Sequence, residues 1–439
     1  MKPYPSYKDS GVEWIGKIPS DWKVTKHKYN LEILSGFPFN SKLFSNKKGF
    51  PLIRIRDITS GSLNTFYEGD YSDKYIVKKG DLLIGMDGDF NVRWWEGDLG
   101  LLNQRCCSIK ESSTLNRKWL FYLLPNELKI INDLTYFTTV KHLSNNDIYD
   151  SKTILPIKET QTQIVSFLDN KTQKIDQLID LTEKKIELLK EQRTSLINQS
   201  VTKGLNPNVE MKDSGVEWIG EIPHNWLVTT VKILIGMGEV EIQDGNHGEL
   251  HPLSSDYVDN GIPFVLSNNI QDGQVDYVNC SKISKEQGDS LRIGFSVEGD
   301  VLLSHKGSIG KVSIVENPPT EYIMLTPQVT YYRTKMSLLL NTHLKYYFQS
   351  HLFQEMILLL SSGGSTRNYI GITNQRNLTV LIPPIDEQKN LVHYLDDQTK
   401  NINSTIKVEK NRIELLKEYR QSLISDVVTG KIDVRNCDE

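Results

Sequence analysis

The 439-residue sequence predicts an α+β protein with two pseudo-two-fold-related α/β domains, separated by two long helices that form an antiparallel coiled coil. Three observations predict it. A short motif occurs twice almost unchanged, a longer segment with helical periodicity also occurs twice, and the stretches between these repeats differ from each other.

The short motif reads KDSGVEWIGKIP at residues 8–19 and KDSGVEWIGEIP at 212–223, differing only at Lys17 and Glu221. Trp22 and Trp226 follow each copy at the same spacing. The longer repeat aligns residues 156–202 with 383–429 without a gap. Gln161 matches Gln388, Leu168-Asp169 matches Leu395-Asp396, and the run Ile-Glu-Leu-Leu-Lys-Glu recurs at 186–191 and 413–418. Between these anchors only echoes remain. Pro51-Leu52-Ile53 resembles Pro263-Phe264-Val265, Gly80-Asp81 resembles Gly299-Asp300, Gln104 sits where Gln328 does, and 139–144 lies where 366–371 does. The order is circular: Val201-Thr202-Lys203-Gly204 runs into the second motif copy, the first copy lies near the N-terminus, and Val428-Thr429-Gly430-Lys431 lies near the C-terminus, so the two chain ends look like a cut version of the central junction. A molecule with its termini close together is expected.

Residues 158–202 read as helix, with apolar side chains at Ile164, Leu168, Ile175, Leu178, Ile186, Leu189 and Leu196, and no Pro or Gly. At ~1.5 Å per residue this is a rod of roughly 65 Å. The matching stretch 386–429 carries Leu391, Leu395, Ile402, Ile406, Ile413, Leu416 and Leu423. Two such seams in one chain are expected to pair antiparallel. The bodies are mixed: β-rich runs at 51–55, 81–85, 104–109 and 301–304 lie between turn residues, and helices are expected over 116–132 and 337–360.

Composition bounds the function. No run of 18 apolar residues and no export signal is present, so a cytoplasmic protein without a membrane role is expected. Cys106, Cys107, Cys280 and Cys437 form no C-x-x-C pair, which argues against a zinc site or disulfide framework. Net charge is −4, unevenly spread: residues 1–157 hold 22 basic and 18 acidic side chains, residues 205–383 only 12 basic against 19 acidic. Asn317-Pro318-Pro319 lacks the aromatic that a base-flipping methylase needs, since Thr320 follows. Residues 307–312 are too short for a phosphate-binding loop, and His247 and His251 sit in a Gly- and Pro-containing loop, not a zinc helix. The chain reads as a binder rather than a catalyst.

The motif pair at 8–22 and 212–226, the strand Leu102-Asn103-Gln104-Arg105, the segment 139–144, the exit Leu155-Pro156-Ile157 and the duplicated helices together resemble type I restriction-modification DNA specificity subunits, over essentially the whole chain. The resemblance implies target-recognition domains at 1–157 and 205–383, each reading half of a split sequence in double-stranded DNA. It implies conserved helical spacers at 158–204 and 384–439. It further implies that two methyltransferase subunits dock on the spacers and that two restriction–translocase subunits join. S-adenosylmethionine, ATP and Mg2+ then belong to those subunits, with no cofactor and no catalytic residue in this chain.

Base reading needs Arg, Lys, Asn, Gln or their like at loop tips. The candidates are Arg54, Arg56, Arg93, Lys141 and His142 in the first body, and Asn268, His305, Lys306, Arg367, Asn368 and Tyr369 in the second. The helix positions assigned to partner docking are Ile175, Ile186, Leu189, Leu196, Ile402, Ile413, Leu416 and Leu423. Trp14 and Trp218, inside the repeated motif, are expected to pack structurally. Two rivals stand beside this reading: a single-chain restriction enzyme, which the missing motifs disfavour, and a duplicated coiled-coil scaffold without sequence-specific DNA binding.

Overall fold

The computed structural model describes residues 2–13, 15–110, 112–135, 141–248, 251–271, 273–361 and 369–435. It divides into two compact units, Met1–Thr182 with Asn411–Glu439, and Glu183–Lys410. Each unit is one globular body plus half of each long helix. The boundaries therefore fall inside the helices rather than at the helix ends, because each half-helix is buried against the body nearest to it.

The helices are Lys158–Lys203 and Ile385–Val428, close to the expected spans. In the first unit, Ile175 shares a core with Leu423 and Ile424, and Arg420 makes two contacts to the Asp176 carboxylate, at 2.8 and 3.3 Å. In the second, Lys185 reaches Glu409 at 2.5 Å and Arg193 reaches Asn403 at 2.6 Å. Within each unit, then, higher numbers on one helix meet lower numbers on the other, which is antiparallel pairing.

Each body is built on the same topology. A four-stranded sheet holds Val92–Trp94, Leu82–Gly85, Cys106–Ile109 and Ile33–Ser35 in that order; its counterpart holds Val312–Ile314, Val301–Ser304, Val329–Thr334 and Val240–Asp244. A second sheet contains one parallel pair in each body, Phe50–Ile53 with Gly100–Leu102 and Tyr257–Val265 with Ile323–Leu325. The echoes Pro51-Leu52-Ile53 and Pro263-Phe264-Val265 are thus the same strand. The expected strand at 51–55 stops earlier, because a helix starts at Ile55. The expected helix at 337–360 is two, Asn341–Gln349 and His351–Ser361, with buried Ser350 between them and its hydroxyl bonded to the Tyr347 carbonyl.

Three repeated devices fasten body to helix. First, Gln161, fully buried in the first turn, accepts from the Asn116 amide at 2.8 Å and donates to the Thr114 and Pro156 carbonyls at 3.1 and 2.8 Å. Gln388 repeats this with the Leu340 amide (2.9 Å) and the Leu338 and Pro383 carbonyls (2.8 and 2.7 Å). Second, the Tyr122 hydroxyl donates to Asp169 at 2.6 Å and that of Tyr346 to Asp396 at 2.5 Å. Burial and these carboxylates push both phenols above their ordinary range. Third, the helices end at Gly204 and Gly430, both left-handed (φ +74° and +76°) as a helix-terminating glycine requires. A Cβ on Gly204 would meet Trp226, and one on Gly430 would meet Pro19 and Trp22, so each motif copy packs on a helix end. In the first unit the chain ends meet as the repeat predicts: Lys2 bridges Asp433, and the Tyr7 hydroxyl donates to the Lys431 carbonyl.

Inside the bodies the two cores differ. His27 and Glu127 are buried and joined at 2.7 Å, and the Thr153 hydroxyl donates to the same carboxylate at 2.6 Å. The positions matching His27 and Thr153 hold buried Val231 and Val380. Conversely, buried Trp119, its ring 5.9 Å from that of Trp22, stands where the second body has buried His343. Trp218 departs from expectation: it is 44 % exposed, whereas Trp22 and Trp226, which follow the two motif copies, are buried. Trp14 lies outside the described residues, as does Cys437, while Cys106, Cys107 and Cys280 are buried free thiols.

Replacing Gln161 with Leu leaves an amide and two carbonyls without their partner. The expected loss is roughly 2–4 kcal/mol, measured as a drop in unfolding midpoint; an unchanged midpoint would refute the fastening role. Burial also pulls the His343 imidazole down to about 4. Above its ordinary value of about 6.5 both folded and unfolded states are neutral, and below it the unfolded chain takes the proton first. Stability from this site is complete above about pH 6.5 and lost as pH falls toward about 4. Denaturation across that window is expected to flatten in His343→Phe.

Candidate nucleic-acid interface

One place in each body brings three chain segments together at the end of the four-stranded sheet. In the first body the Met86 amide donates to the Arg105 carbonyl at 2.8 Å, the Leu143 amide to the Met86 carbonyl at 2.7 Å, and Asp87 bridges His142. In the second, the His305 amide donates to the Gln328 carbonyl at 2.9 Å, the Ile370 amide to the His305 carbonyl at 3.0 Å, and Lys306 bridges Tyr369. The backbones match while the side chains do not. Asp87, Arg105 and His142 stand where Lys306, Gln328 and Tyr369 stand.

The expected match of Gln104 with Gln328 is therefore displaced by one residue, and Arg105 is the true counterpart. The same register follows from the neighbouring bonds, Gly36 amide to Cys106 carbonyl and Gly245 amide to Val329 carbonyl. Sequence alone has no anchor for this step, because the loops before the two strands share no residue pattern.

The candidate residues fall into different settings. His142 (its Nδ1 2.7 Å from Asp87), Lys306 and Tyr369 belong to this frame, and Lys141 lies beside it with its carbonyl bonded to the Gly88 amide. Arg367 and Asn368 lie outside the described residues. His305 is corrected: at 2 % exposure it cannot present its ring to a base edge. Both ring nitrogens lack a hydrogen bond, the nearest carboxylate oxygen, on Asp244, is 3.6 Å away, and desolvation lowers its pKa. Its ring instead packs 5.6 Å from that of Tyr369, which is 46 % exposed.

The remaining candidates lie elsewhere in their bodies. Arg93 donates to the Ile58 and Thr59 carbonyls, both at 3.0 Å, at the end of a short helix. Arg56 is exposed and bonded to Thr65 at 2.9 Å, Arg54 is half-buried with its guanidinium over Phe44, and Asn268 is exposed. In the second unit a cleft of about 870 Å3 gathers Arg193, Lys311, Lys345 and Lys400 with Glu316 and Asp396. It concentrates cations in the acidic half of the chain. Among the described residues no group of three or more His, Cys, Asp or Glu is placed to hold a metal ion.

The helix positions are corrected too. Ile175, Ile186, Ile402, Ile413 and Leu423 are buried, and Leu189, Leu196 and Leu416 half-buried, within the chain. The five buried ones are covered by the chain itself, while Leu189, Leu196 and Leu416 keep part of their surface exposed. A second apolar stripe faces solvent instead: Leu181 and Leu188 on one helix, 61 and 63 % exposed, match Val408 and Leu415 on the other, 64 and 65 % exposed. Both stripes have helical spacing, so periodicity alone does not say which one is paired internally.

The model of the type I restriction modification DNA specificity domain matches this chain twice, at residues 19–191 and 241–415. The chain belongs to that family. The specificity subunit of the EcoBI type I restriction enzyme of Escherichia coli is 28 % identical over 434 residues, covering 97 % of this chain and 89 % of the relative. The MjaVIII specificity subunit of Methanocaldococcus jannaschii is 23 % identical, covering 96 % and 95 %. A chain from a solved structure described as "Structural basis underlying complex assembly and conformational transition of the type I R-M system" matches with a TM-score of 0.67 at 17 % identity, over 94 % of this chain and 99 % of that one. It shares the fold. Specificity subunits are the non-catalytic recognition members of their complexes, and this chain is one of that kind. No helix among the described residues is long and apolar enough to cross a membrane.

If His305 only supports Tyr369, replacing it with Leu keeps the packing and removes two unpaired ring nitrogens. His305→Leu is expected to be neutral or stabilising by up to about 1 kcal/mol in thermal unfolding. A fall of several degrees would show instead that the imidazole makes a polar contact the fold needs.

Proposed function

We propose that this specificity subunit recognises a bipartite target in double-stranded DNA, one half-site per body, and that its two long helices are the spacers on which two methyltransferase subunits dock. The domains that read DNA are then 1–157 and 205–383, with spacers at 158–204 and 384–439. Two restriction–translocase subunits complete the assembly. S-adenosylmethionine, ATP and Mg2+ act in those other subunits, and the complex works in the cytoplasm.

The observation that carries this reading is the matched frame. One backbone arrangement presents Asp87, Arg105 and His142 in one body and Lys306, Gln328 and Tyr369 in the other. Two readers of different sequences on a shared scaffold need that combination. The solvent-facing pairs Leu181/Val408 and Leu188/Leu415 support docking of two copies of one partner, because the same apolar positions occur on both helices. They replace the buried seam residues as the docking candidates. The acidic second half fits a subunit that relies on partners for part of its hold on the DNA phosphates.

The test is co-expression with a methyltransferase subunit from the same genome, with adenine methylation mapped by long-read sequencing. Methylation at one split motif, lost when this chain is omitted, is expected. An assembled, active complex without motif-specific methylation would favour the scaffold reading. Leu188→Glu with Leu415→Glu is expected to abolish co-purification of the methyltransferase while the unfolding midpoint stays within about 2 °C, since both side chains are solvated already.

A further inference from the structure

We propose that Arg105 is a base-reading residue of the first body and takes a guanine in the major groove, with Asp87 and His142 as positioning residues. This rests on the proposed function and goes beyond it, in naming the residue and the base.

The first observation is the backbone. Arg105 is left-handed, with φ +67°. A residue with a Cβ is strained there, and such outliers gather at binding and catalytic sites. Glycine would sit at this turn without strain, so the position carries a side chain at a cost. Its counterpart Gln328 is not left-handed. The Arg105 carbonyl is fixed by the Met86 amide, which pins the turn to the edge of the core sheet.

The second observation is how the side chain is held. It is 55 % exposed. Its Nη1 lies 3.0 Å from His142 Nδ1 and 3.5 Å from His142 Nε2. The lone-pair directions of two ring nitrogens diverge, so one atom close to both sits over the ring face rather than in its plane. With Nδ1 protonated, that N–H donates to Asp87 at 2.7 Å. The guanidinium therefore rests on an imidazole that a carboxylate holds still. Its Nε and Nη2 have no hydrogen-bond partner among the described residues. Donors of the guanidinium fork remain available.

The third observation is charge. Asp87 Oδ1 lies 3.7 Å from Arg105 Nη1. A phosphate brought to this arginine would meet the carboxylate as well, so the site is a poor backbone clamp. The N7 and O6 edge of guanine is uncharged, accepts two hydrogen bonds, and matches the spacing of a guanidinium fork. Asp87 orients the arginine without competing with such a ligand. At the matching position, Gln328 has its amide oxygen taken by the Ser267 hydroxyl at 2.8 Å, so the second body offers a different donor pattern to its half-site.

The test compares wild-type, Arg105→Gly and Arg105→Lys subunits, each assembled with the methyltransferase subunit, by methylation mapping and thermal unfolding. Arg105→Gly relieves the left-handed strain, so its melting temperature is expected to hold or rise. The wild-type motif is expected to contain a guanine in one half-site at which preference falls roughly five- to 150-fold, with the other half-site unchanged. Arg105→Lys, which keeps the charge but not the fork, is expected to lose most of that preference too. An unchanged motif in Arg105→Gly overturns the proposal. So does methylation weakened equally at all sites and rescued by Lys, the signature of a phosphate contact. Absence of motif-specific methylation by an assembled wild-type complex overturns the proposed function, and this proposal with it.

Discussion

A glutamine buried in the first turn of each long helix is the constraint on which the arrangement rests. A primary amide offers one acceptor and two donors, and Gln161 and Gln388 each use all three on backbone groups of the segment entering the body's helix and of the proline two residues before their own helix. No apolar side chain can do this, and a carboxylate lacks the donors. The Tyr–Asp bond lies two turns further along each helix, so body and helix are fixed at two points. Two points set an angle as well as a distance. The position of every loop on the body is inherited from them.

Much of this was legible in the sequence, and the reason is periodicity and identity. The helices declare themselves by uninterrupted apolar spacing, and the short motif by near-identity of its two copies. Gln161/Gln388 and Asp169/Asp396 align without a gap, although their bonding partners do not. What stays hidden has a common physical cause: it depends on contacts between segments far apart in the chain. Gln104 and Arg105 are equally plausible partners of Gln328 until the amide of Met86 chooses between them. Leu181 and Ile186 are equally apolar until one is covered. His305 looks like a polar loop residue, yet burial makes it a support for Tyr369.

The frame at the sheet's end shows how side-chain identity is separated from backbone geometry. Its hydrogen bonds are between backbone groups, which do not depend on residue type. Side chains there are free to change without disturbing the strands below them. Lys306 and Asp87 have opposite charge at one position, and the sheet beneath is the same.

The buried His27–Glu127–Thr153 cluster and its apolar counterparts Val231 and Val380 carry a consequence for inheritance. Moving His27 alone to the Val231 position would bury an imidazole away from its Glu127 partner. The interior of each body is therefore a private set, whereas the glutamine and tyrosine fastenings are common to both. An exchange between such chains is expected to be tolerated when the crossover falls in the shared helices and motifs and the whole interior travels as one cassette. A change in either interior therefore requires its buried partners to change with it, whereas a change at the exposed rim does not.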